Sequence, residues 1–286
     1  MELQGRVKEL QAQGIGLATI SYDSREVIAA FAKQRGITFP MLADPGSATI
    51  KRFGILNTVV DEALGSNKDD PAVKADAQKY ISVVGIQERM RGIAFPGTFI
   101  LDRQGRVTSR YFEDFYIERN TVSALLKRLG VGGEAVAGTK VSTAHVDVTT
   151  YPSDPGIAPG NRFTLVFEIT PKPGLHVYAP GASSYQVVRA NISPPPFVRT
   201  LPPRYPTSEI YHFVPLNERV PVYRKPFTLV QEVILDGGLE AQKVLRGQES
   251  LTITGALEYQ ACDDKICYNP VSVPLSWTVQ LRSLTR

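Results

Sequence analysis

Two cysteines, Cys262 and Cys267, are the residues of this chain best suited to chemistry, and its 286 residues contain no others. They lie in the stretch EYQACDDKICYNP at 258–270. The alternating segment before Cys262 predicts that this residue ends one strand and that Cys267 begins the next. Neighbouring antiparallel strands bring Cα atoms to about 4.5–5.5 Å, which is within disulfide reach. The sequence therefore predicts that the pair can close.

A closed pair of this kind is either a structural crosslink or an electron carrier. A crosslink over so short a loop removes only about 2 kcal/mol of unfolded-state entropy. The domain that contains the pair is also large enough to bury the apolar surface it needs for folding without this crosslink. The loop length favours a redox role, and a static disulfide is the alternative.

Metal binding is the third chemistry open to two cysteines. His145, His176 and His212 could complete a site, but none lies at zinc-finger spacing from the pair. A blue-copper site needs His and Met shortly after the cysteine, and neither follows Cys267. We expect neither a metal nor an organic cofactor.

Charged neighbours set the expected reactivity of the two thiols. Asp263 and Asp264 beside Cys262 disfavour a thiolate, and Lys265 partly offsets them. Neither cysteine has a neighbour that strongly favours its thiolate form. We therefore expect exchange with a dedicated partner rather than attack on peroxide.

Composition narrows the class of protein. A chain of 31.4 kDa exceeds the usual size of one domain, so two are expected. Hydrophobic residues make up 43% and charged residues 21%, as in ordinary globular proteins. The net charge of +4 is dispersed along the chain, which argues against a nucleic-acid partner. No apolar run approaches the roughly 18 residues that would span a bilayer.

The first 129 residues carry the pattern of an α/β layer. A strand over 15–22 precedes a helix REVIAAFAKQR, which Asp23 or Ser24 caps and Gly36 ends. An extended TFPMLAD, a helix at 46–53, a hairpin turning at 102–105 and a closing helix follow. Residues 57–92 predict an insertion, with Pro71 opening a surface helix.

The rest of the chain has a different residue pattern. Residues 130–140, GVGGEAVAGTK, predict a flexible linker. Residues 141–286 contain alternating, β-branched segments between Pro- and Gly-rich turns, the pattern of an antiparallel β-sandwich. No helix of confident length is expected after residue 130.

The runs LATISYDSREVIAAFAKQRGITFPMLADPGSATIKRFGILN and FPGTFILDRQGRV resemble the AhpC/TSA, or peroxiredoxin-like, branch of the thioredoxin fold. This resemblance implies that Phe95 and Pro96 form that fold's cis-proline loop. In that family the catalytic cysteine lies between the strand and the helix that precede LATIS. The sequence lacks this strand, so we expect a chain truncated before its catalytic and signal segments, with a degenerate domain as the alternative. Without a cysteine there, peroxidase activity is not expected of these residues.

The segment EYQACDDKICYNPVSVPL resembles the active-site hairpin of the amino-terminal periplasmic domain of the thiol:disulfide interchange protein DsbD. PGLHVYAP and YPTSEIYHF, at 173–180 and 205–213, resemble further segments of that immunoglobulin-like domain. The resemblance implies that Cys262 and Cys267 are the redox pair, with Cys267 forming the mixed disulfide. It also implies a capping aromatic at Tyr205. The expected site neighbours are Asp263, Asp264, Lys265 and Tyr268.

Together these features predict an extracytoplasmic thiol–disulfide oxidoreductase with a thioredoxin-like domain at 1–129 and an immunoglobulin-like sandwich at 141–286. The resemblance implies that thioredoxin-like or disulfide-bearing proteins are its partners, through transient mixed disulfides. A flexible tether could also let its own two domains exchange electrons. The alternatives are an adaptor with a static disulfide and, in a full-length form, a thiol peroxidase.

Overall fold

The computed structural model describes residues 2–81, 85–112, 118–128, 136–213 and 217–282. The chain divides into two compact units, residues 1–122 and 123–286. Much of the predicted linker, at 129–135, lies outside the described residues, as do 82–84 of the predicted insertion. The boundaries of the linker and the domains therefore stay predictions.

The first unit is an α/β region with short strands. Its helices are α1 (Glu2–Ala12), α2 (Arg25–Arg35), α3 (Ala48–Arg52), α4 (Thr58–Ala63) and α5 (Pro71–Ile81), with a 3₁₀ turn at Glu88–Met90. Its strands are β1 (Thr19–Ser21), β2 (Met41–Ala43), β3 (Gly97–Leu101), β4 (Val107–Phe112) and β5 (Arg119–Asn120). β1 pairs with β2 in parallel, and β3 pairs with β4 as an antiparallel hairpin.

Local signals explain the helices of this unit. The Ser24 side chain accepts a hydrogen bond from Val27 N at 3.4 Å and caps α2. Gly36 ends α2 with φ of 61°, the left-handed conformation that favours glycine. Pro71 opens α5, where the Asp70 carboxylate accepts a hydrogen bond from Ala72 N at 2.8 Å. These predicted boundaries are confirmed.

The predicted cis-proline loop at Phe95 and Pro96 is wrong in one respect. No peptide bond among the described residues is cis, so the Phe95–Pro96 bond is trans. Phe95 N donates to Ile55 O at 2.7 Å, and Gly97 begins β3 directly after the proline. A trans proline leading into a strand needs no special bond, and trans is favoured by about 0.5–1 kcal/mol in X–Pro peptides.

The second unit is a β-rich domain. Its strands are β6 (Thr139–Ser142), β7 (Val146–Pro152), β8 (Gly156–Ile157), β9 (Asn161–Pro171), β10 (His176–Tyr178), β11 (Arg189–Ser193), β12 (Val198–Thr200), β13 (Glu209–Phe213), β14 (Glu218–Tyr223), β15 (Phe227–Leu235), β16 (Ser250–Tyr259), β17 (Ala261–Cys262) and β18 (Val271–Leu281). Its helices are α6 (Val122–Arg128), which spans the boundary between the units, and α7 (Leu239–Leu245). The sequence predicts no helix of confident length after residue 130, and α7 is a helix of only seven residues. Seven residues are too few for a strong periodic signal, and α7 keeps its place by burying Ala241 and Leu245.

The described strands of this domain form three sheets. Two larger sheets, in the orders β12-β15-β9-β7-β6 and β11-β16-β18-β8, enclose the main core. Phe167 of β9 and Trp277 of β18 meet edge to face in that core at 5.5 Å, and Trp277 Nε1 donates to Thr150 Oγ1. A smaller sheet has the order β13-β14-β10-β17. The predicted fold class, α/β followed by an antiparallel β-sandwich, is confirmed.

Candidate redox site

The chain changes sheet immediately before the first cysteine. The sequence predicts that Cys262 ends an alternating strand. Cys262 does end a strand, the two-residue β17, which pairs with β10 of the smaller sheet, whereas the alternating β16 ends at Tyr259. The side chain of Gln260, between the two strands, accepts from Gln186 N at 3.1 Å and donates to Tyr268 O at 3.0 Å. These two hydrogen bonds hold the chain in place where it passes from one sheet to the other.

Cys262 and Cys267 form a disulfide within a tight hairpin. Their Cα atoms are 4.1 Å apart, and the two residues form an isolated antiparallel bridge. The Asp263 carboxylate accepts hydrogen bonds from Lys265 N and Ile266 N, both at 2.7 Å, inside the turn. The backbone and one aspartate therefore hold the loop in the conformation that brings the sulfurs together.

The two cysteines differ sharply in burial. Cys262 is 1% exposed and belongs to an apolar cluster with Tyr178, Val220 and Val222. Cys267 is exposed. Of the two cysteines, Cys267 is therefore the one that lies at the surface of the domain.

One tyrosine hydroxyl contacts both sulfurs. Tyr178 Oη lies 2.9 Å from Cys262 Sγ and 3.3 Å from Cys267 Sγ. β10 positions this side chain, because its pairing with β17 places His176 opposite Cys262. Burial is the largest cause that raises the pKa of Tyr178, and the electrostatic effect of Tyr185 is the next. Tyr178 therefore stays a neutral hydrogen-bond donor.

A second tyrosine and a carboxylate extend this contact. The rings of Tyr178 and Tyr185 stack with centroids 3.9 Å apart and planes 7° from parallel. Tyr185 Oη donates to Glu218 Oε2 at 2.6 Å, and this bond raises the pKa of Tyr185. Glu218, at the start of β14, is half-buried.

A second aromatic group flanks the pair on β10 and β13. The ring of His176 lies 4.7 Å from that of Tyr211, whose hydroxyl donates to Asp264 Oδ1 at 3.1 Å. Arg224 lies over the Tyr211 ring at 5.3 Å. Burial, and then the charge of Arg224, lower the pKa of His176. The histidine is therefore held in its neutral form.

Both aspartates of the hairpin accept hydrogen bonds from nearby groups. Hydrogen bonds from Ile266 N and Lys265 N lower the pKa of Asp263, and Tyr268 Oη also donates to its carboxylate at 3.0 Å. Asp264 accepts from Tyr211. Both charges thus stabilise the loop, whereas the sequence suggested only that they disfavour a thiolate.

The structure brings most of the predicted site residues together in this hairpin. Tyr268 packs between Asp263 and the ring of His145, at 4.6 Å between centroids. Tyr205 packs against the main core rather than in the cluster that contains Cys262, and its role as a cap stays a prediction. Phe95 and Pro96 lie in the first unit and are described there.

Sequence reasoning did not single out Tyr178, Tyr185, Tyr211 and Glu218. Two of them lie in segments already noted for their resemblance: Tyr178 in PGLHVYAP and Tyr211 in YPTSEIYHF. Tyr185 and Glu218 carry no local signal, because the hydrogen bond between them joins residues 33 positions apart in the chain.

Two family models match the chain in succession. Residues 1–110 match the AhpC/TSA family, and residues 148–274 match the family "thiol:disulfide interchange protein DsbD, N-terminal". Both resemblances identified from the sequence are therefore confirmed. The comparison with curated proteins gave no match.

Solved structures give further similarities. The N-terminal periplasmic domain of ScsB from Proteus mirabilis is 13% identical, with a TM-score of 0.35, covering 49% of this chain and 51% of that one. The reduced N-terminal domain of DsbD from Neisseria meningitidis is 17% identical, with a TM-score of 0.30, covering 48% and 90%. The SrpA adhesin from Streptococcus sanguinis is 18% identical, with a TM-score of 0.25, covering 50% and 59%. The match thus spans about half the length of the ScsB domain.

The two family matches support a function in thiol–disulfide redox chemistry. Within the described parts of the chain, no helix is long and apolar enough to cross a membrane.

Proposed function

We propose that this protein carries electrons between partner proteins by opening and closing the Cys262–Cys267 disulfide. The observation that carries the proposal is the unequal exposure of the two cysteine residues. A partner can attack Cys267, which is exposed, whereas Cys262 is 1% exposed and is kept for the internal step. A disulfide with one accessible sulfur directs exchange to one mixed disulfide.

In the reductive direction, a partner thiolate attacks Cys267 Sγ. The bond between Cys262 and Cys267 breaks, its electron pair stays on Cys262 sulfur, and a mixed disulfide joins the partner to Cys267. A second thiol of the partner then attacks its own bridged sulfur and releases Cys267 as a thiolate. The partner's dithiol is oxidised and the pair gains two electrons; the reverse sequence reduces a disulfide-bearing protein.

The proposed partners are thioredoxin-like proteins on the donor side and disulfide-bearing proteins on the acceptor side. The match to a thiol:disulfide interchange family supports this assignment. A periplasmic or otherwise extracytoplasmic location accords with it, because a solved relative is described as a periplasmic domain and disulfides persist in oxidising compartments.

The test is electron transfer to the full-length chain from a reduced thioredoxin, followed by counting free thiols. We expect two thiols per chain to appear, because the chain holds two cysteines and both are in one disulfide. The matched control replaces both with serine, C262S together with C267S. A wild-type disulfide that stays closed against excess reduced thioredoxin would show that it is a static crosslink.

A further inference from the structure

Opening the disulfide leaves a negative charge on a buried residue. When a partner thiolate attacks Cys267 Sγ, the electron pair of the broken bond stays on Cys262 Sγ. Cys262 is 1% exposed and lies in an apolar cluster with Val220 and Val222. Water cannot solvate a thiolate there as it would at the surface, so the charge is costly unless a protein group donates a hydrogen bond to it.

The hydroxyl of Tyr178 is placed to make that hydrogen bond. Tyr178 Oη lies 2.9 Å from Cys262 Sγ and 3.3 Å from Cys267 Sγ. A disulfide sulfur carries no proton, so the hydroxyl is the donor in both contacts. The hydroxyl thus contacts the two atoms between which the bond breaks, and its shorter contact is with the sulfur that receives the charge.

Strand pairing keeps this donor beside Cys262 when the disulfide is open. β10 pairs with β17, and His176 of β10 lies opposite Cys262. Tyr178 is two residues further along β10, so paired strands fix its place relative to Cys262. Cys267, by contrast, meets Cys262 in an isolated bridge across the hairpin. We therefore expect the hydroxyl to stay with Cys262 after the two sulfurs separate.

The other tyrosine hydroxyls of the site donate to carboxylates. These pairs are Tyr185 with Glu218 at 2.6 Å, Tyr211 with Asp264 at 3.1 Å, and Tyr268 with Asp263 at 3.0 Å. Burial is the largest cause that raises the pKa of Tyr178, so its hydroxyl keeps its proton beside a thiolate. Tyr178 is therefore the tyrosine of the site that is suited to donate to sulfur.

We propose that Tyr178 is a catalytic residue of the exchange reaction and donates a hydrogen bond to the Cys262 thiolate as the disulfide opens and closes. This assignment rests on the exchange function proposed above and deepens it. The hydrogen bond stabilises the thiolate, and a more stable thiolate is a better leaving group. It also raises the fraction of Cys262 that is ionised and ready to close the disulfide.

Charge and electrons balance in this step. The partner's thiolate forms a bond to Cys267 Sγ, the bond between the two cysteines breaks, and its electron pair stays on Cys262 Sγ. Tyr178 keeps its proton throughout. A second partner thiolate then breaks the mixed disulfide, so the cysteine pair gains two electrons and the partner is oxidised to a disulfide. In closure, the Cys262 thiolate attacks Cys267 Sγ and the partner's sulfur leaves as a thiolate.

Other charged and titratable groups around the site also bear on the pKa of Cys262. They are His176, Tyr185, Glu209, Tyr211, Glu218 and Arg224 on and beside the smaller sheet, and Asp263, Asp264, Lys265, Cys267 and Tyr268 of the hairpin. A variant that removes the Tyr178 hydroxyl alone keeps all of these groups in the protein. Y178F is therefore the substitution that tests the proposed hydrogen bond.

The first measurement is the rate at which dithiothreitol reduces the disulfide of the full-length chain. Y178F keeps the ring that stacks on Tyr185. We expect its reduction to be about tenfold slower or more at pH 7, because a hydrogen bond to a charged group is lost. The matched control is Y223F, because Tyr223 is buried in the same sheet and its hydroxyl donates to Pro206 O at 2.8 Å. The control should be reduced at the wild-type rate.

The second measurement separates hydrogen bonding from packing. In C267S the one remaining cysteine is Cys262, and its ¹³Cβ chemical shift followed against pH gives its pKa. If Tyr178 donates to the thiolate, adding Y178F to C267S should raise that pKa by about 1. If Tyr178 only shields Cys262, Y178F admits water and the pKa should fall instead.

Two results would overturn the assignment. One is a Y178F disulfide that dithiothreitol reduces as fast as the wild type, and the other is a Cys262 pKa that is unchanged or lower when Y178F is added to C267S. Neither measurement uses a protein partner. A wild-type disulfide that stays closed against reduced thioredoxin would instead refute the proposed exchange function, whatever the two Y178F measurements give.

Discussion

The two units bury their apolar side chains to different depths. The largest fully buried side chains among the described residues all lie in the second unit, Phe163, Phe167 and Tyr259 among them. In the described part of the first unit, β1 with β2 and β3 with β4 form separate two-stranded sheets, and Leu42 on β2 is 48% exposed. Both cysteines belong to the second unit. A rigid sandwich can keep a tyrosine hydroxyl within 3.3 Å of both sulfurs, which a shallow core would not do as reliably.

Replacing a large side chain by alanine in each unit should show the largest difference between the two units, measured as loss of stability. Phe167 is fully buried against Trp277, so F167A should destabilise the second unit by about 3–5 kcal/mol. L42A removes a half-exposed side chain and should cost the first unit only about 1 kcal/mol. Denaturant unfolding of the full-length chain, followed by tryptophan fluorescence for the second unit and circular dichroism for both, measures the two effects. Equal losses would contradict the difference in burial.

A smaller difference is expected between the reactivities of the two cysteines. In C262S the remaining thiol, Cys267, is exposed, whereas in C267S the remaining thiol is buried Cys262. Alkylation of C267S by iodoacetamide should be about a hundredfold slower, because a buried thiol reacts only after a local opening that costs about 3 kcal/mol. Stopped alkylation with mass detection gives both rates. Comparable rates after correction for ionisation would remove the basis for assigning partner attack to Cys267.

The smallest expected effect is a pH dependence centred on His176. Its pKa is lowered below 6.5 in the folded protein by burial and then by Arg224, while nearby Asp264, Asp263 and Glu209 act in the opposite direction. The unfolded chain therefore binds a proton first, and stability falls as pH drops from about 6.5 toward the folded pKa.

H176Q should flatten that slope in denaturant unfolding at pH 7 to 5. The control H212Q changes an exposed histidine on β13 and should keep the wild-type slope. An unchanged slope in H176Q would show that another group titrates in this range.

Local signals were sufficient to predict much of the fold. Ser24 and Gly36 delimit α2 as the sequence indicates, and the alternating segments after residue 141 form a β-rich domain as predicted. These features depend on near neighbours in the chain, so a sequence contains them directly.

Features that depend on distant contacts could not be predicted in this way. The crossover at Gln260 exists because that side chain bonds to Gln186 and Tyr268. The contact of Tyr178 with both sulfurs likewise requires that β10 pair with β17. The cysteines were identifiable by type and spacing, but the groups that contact their sulfurs were not.

The central claim is that the disulfide opens and closes reversibly, and its reduction potential tests this most directly. The full-length chain is equilibrated in glutathione buffers of defined ratio, and the fraction oxidised is read by mass spectrometry after alkylation. We predict a value well above about −300 mV, in the range where protein partners can exchange with the pair. A value below about −300 mV, resistant to the glutathione pool, would identify a static crosslink and contradict the account.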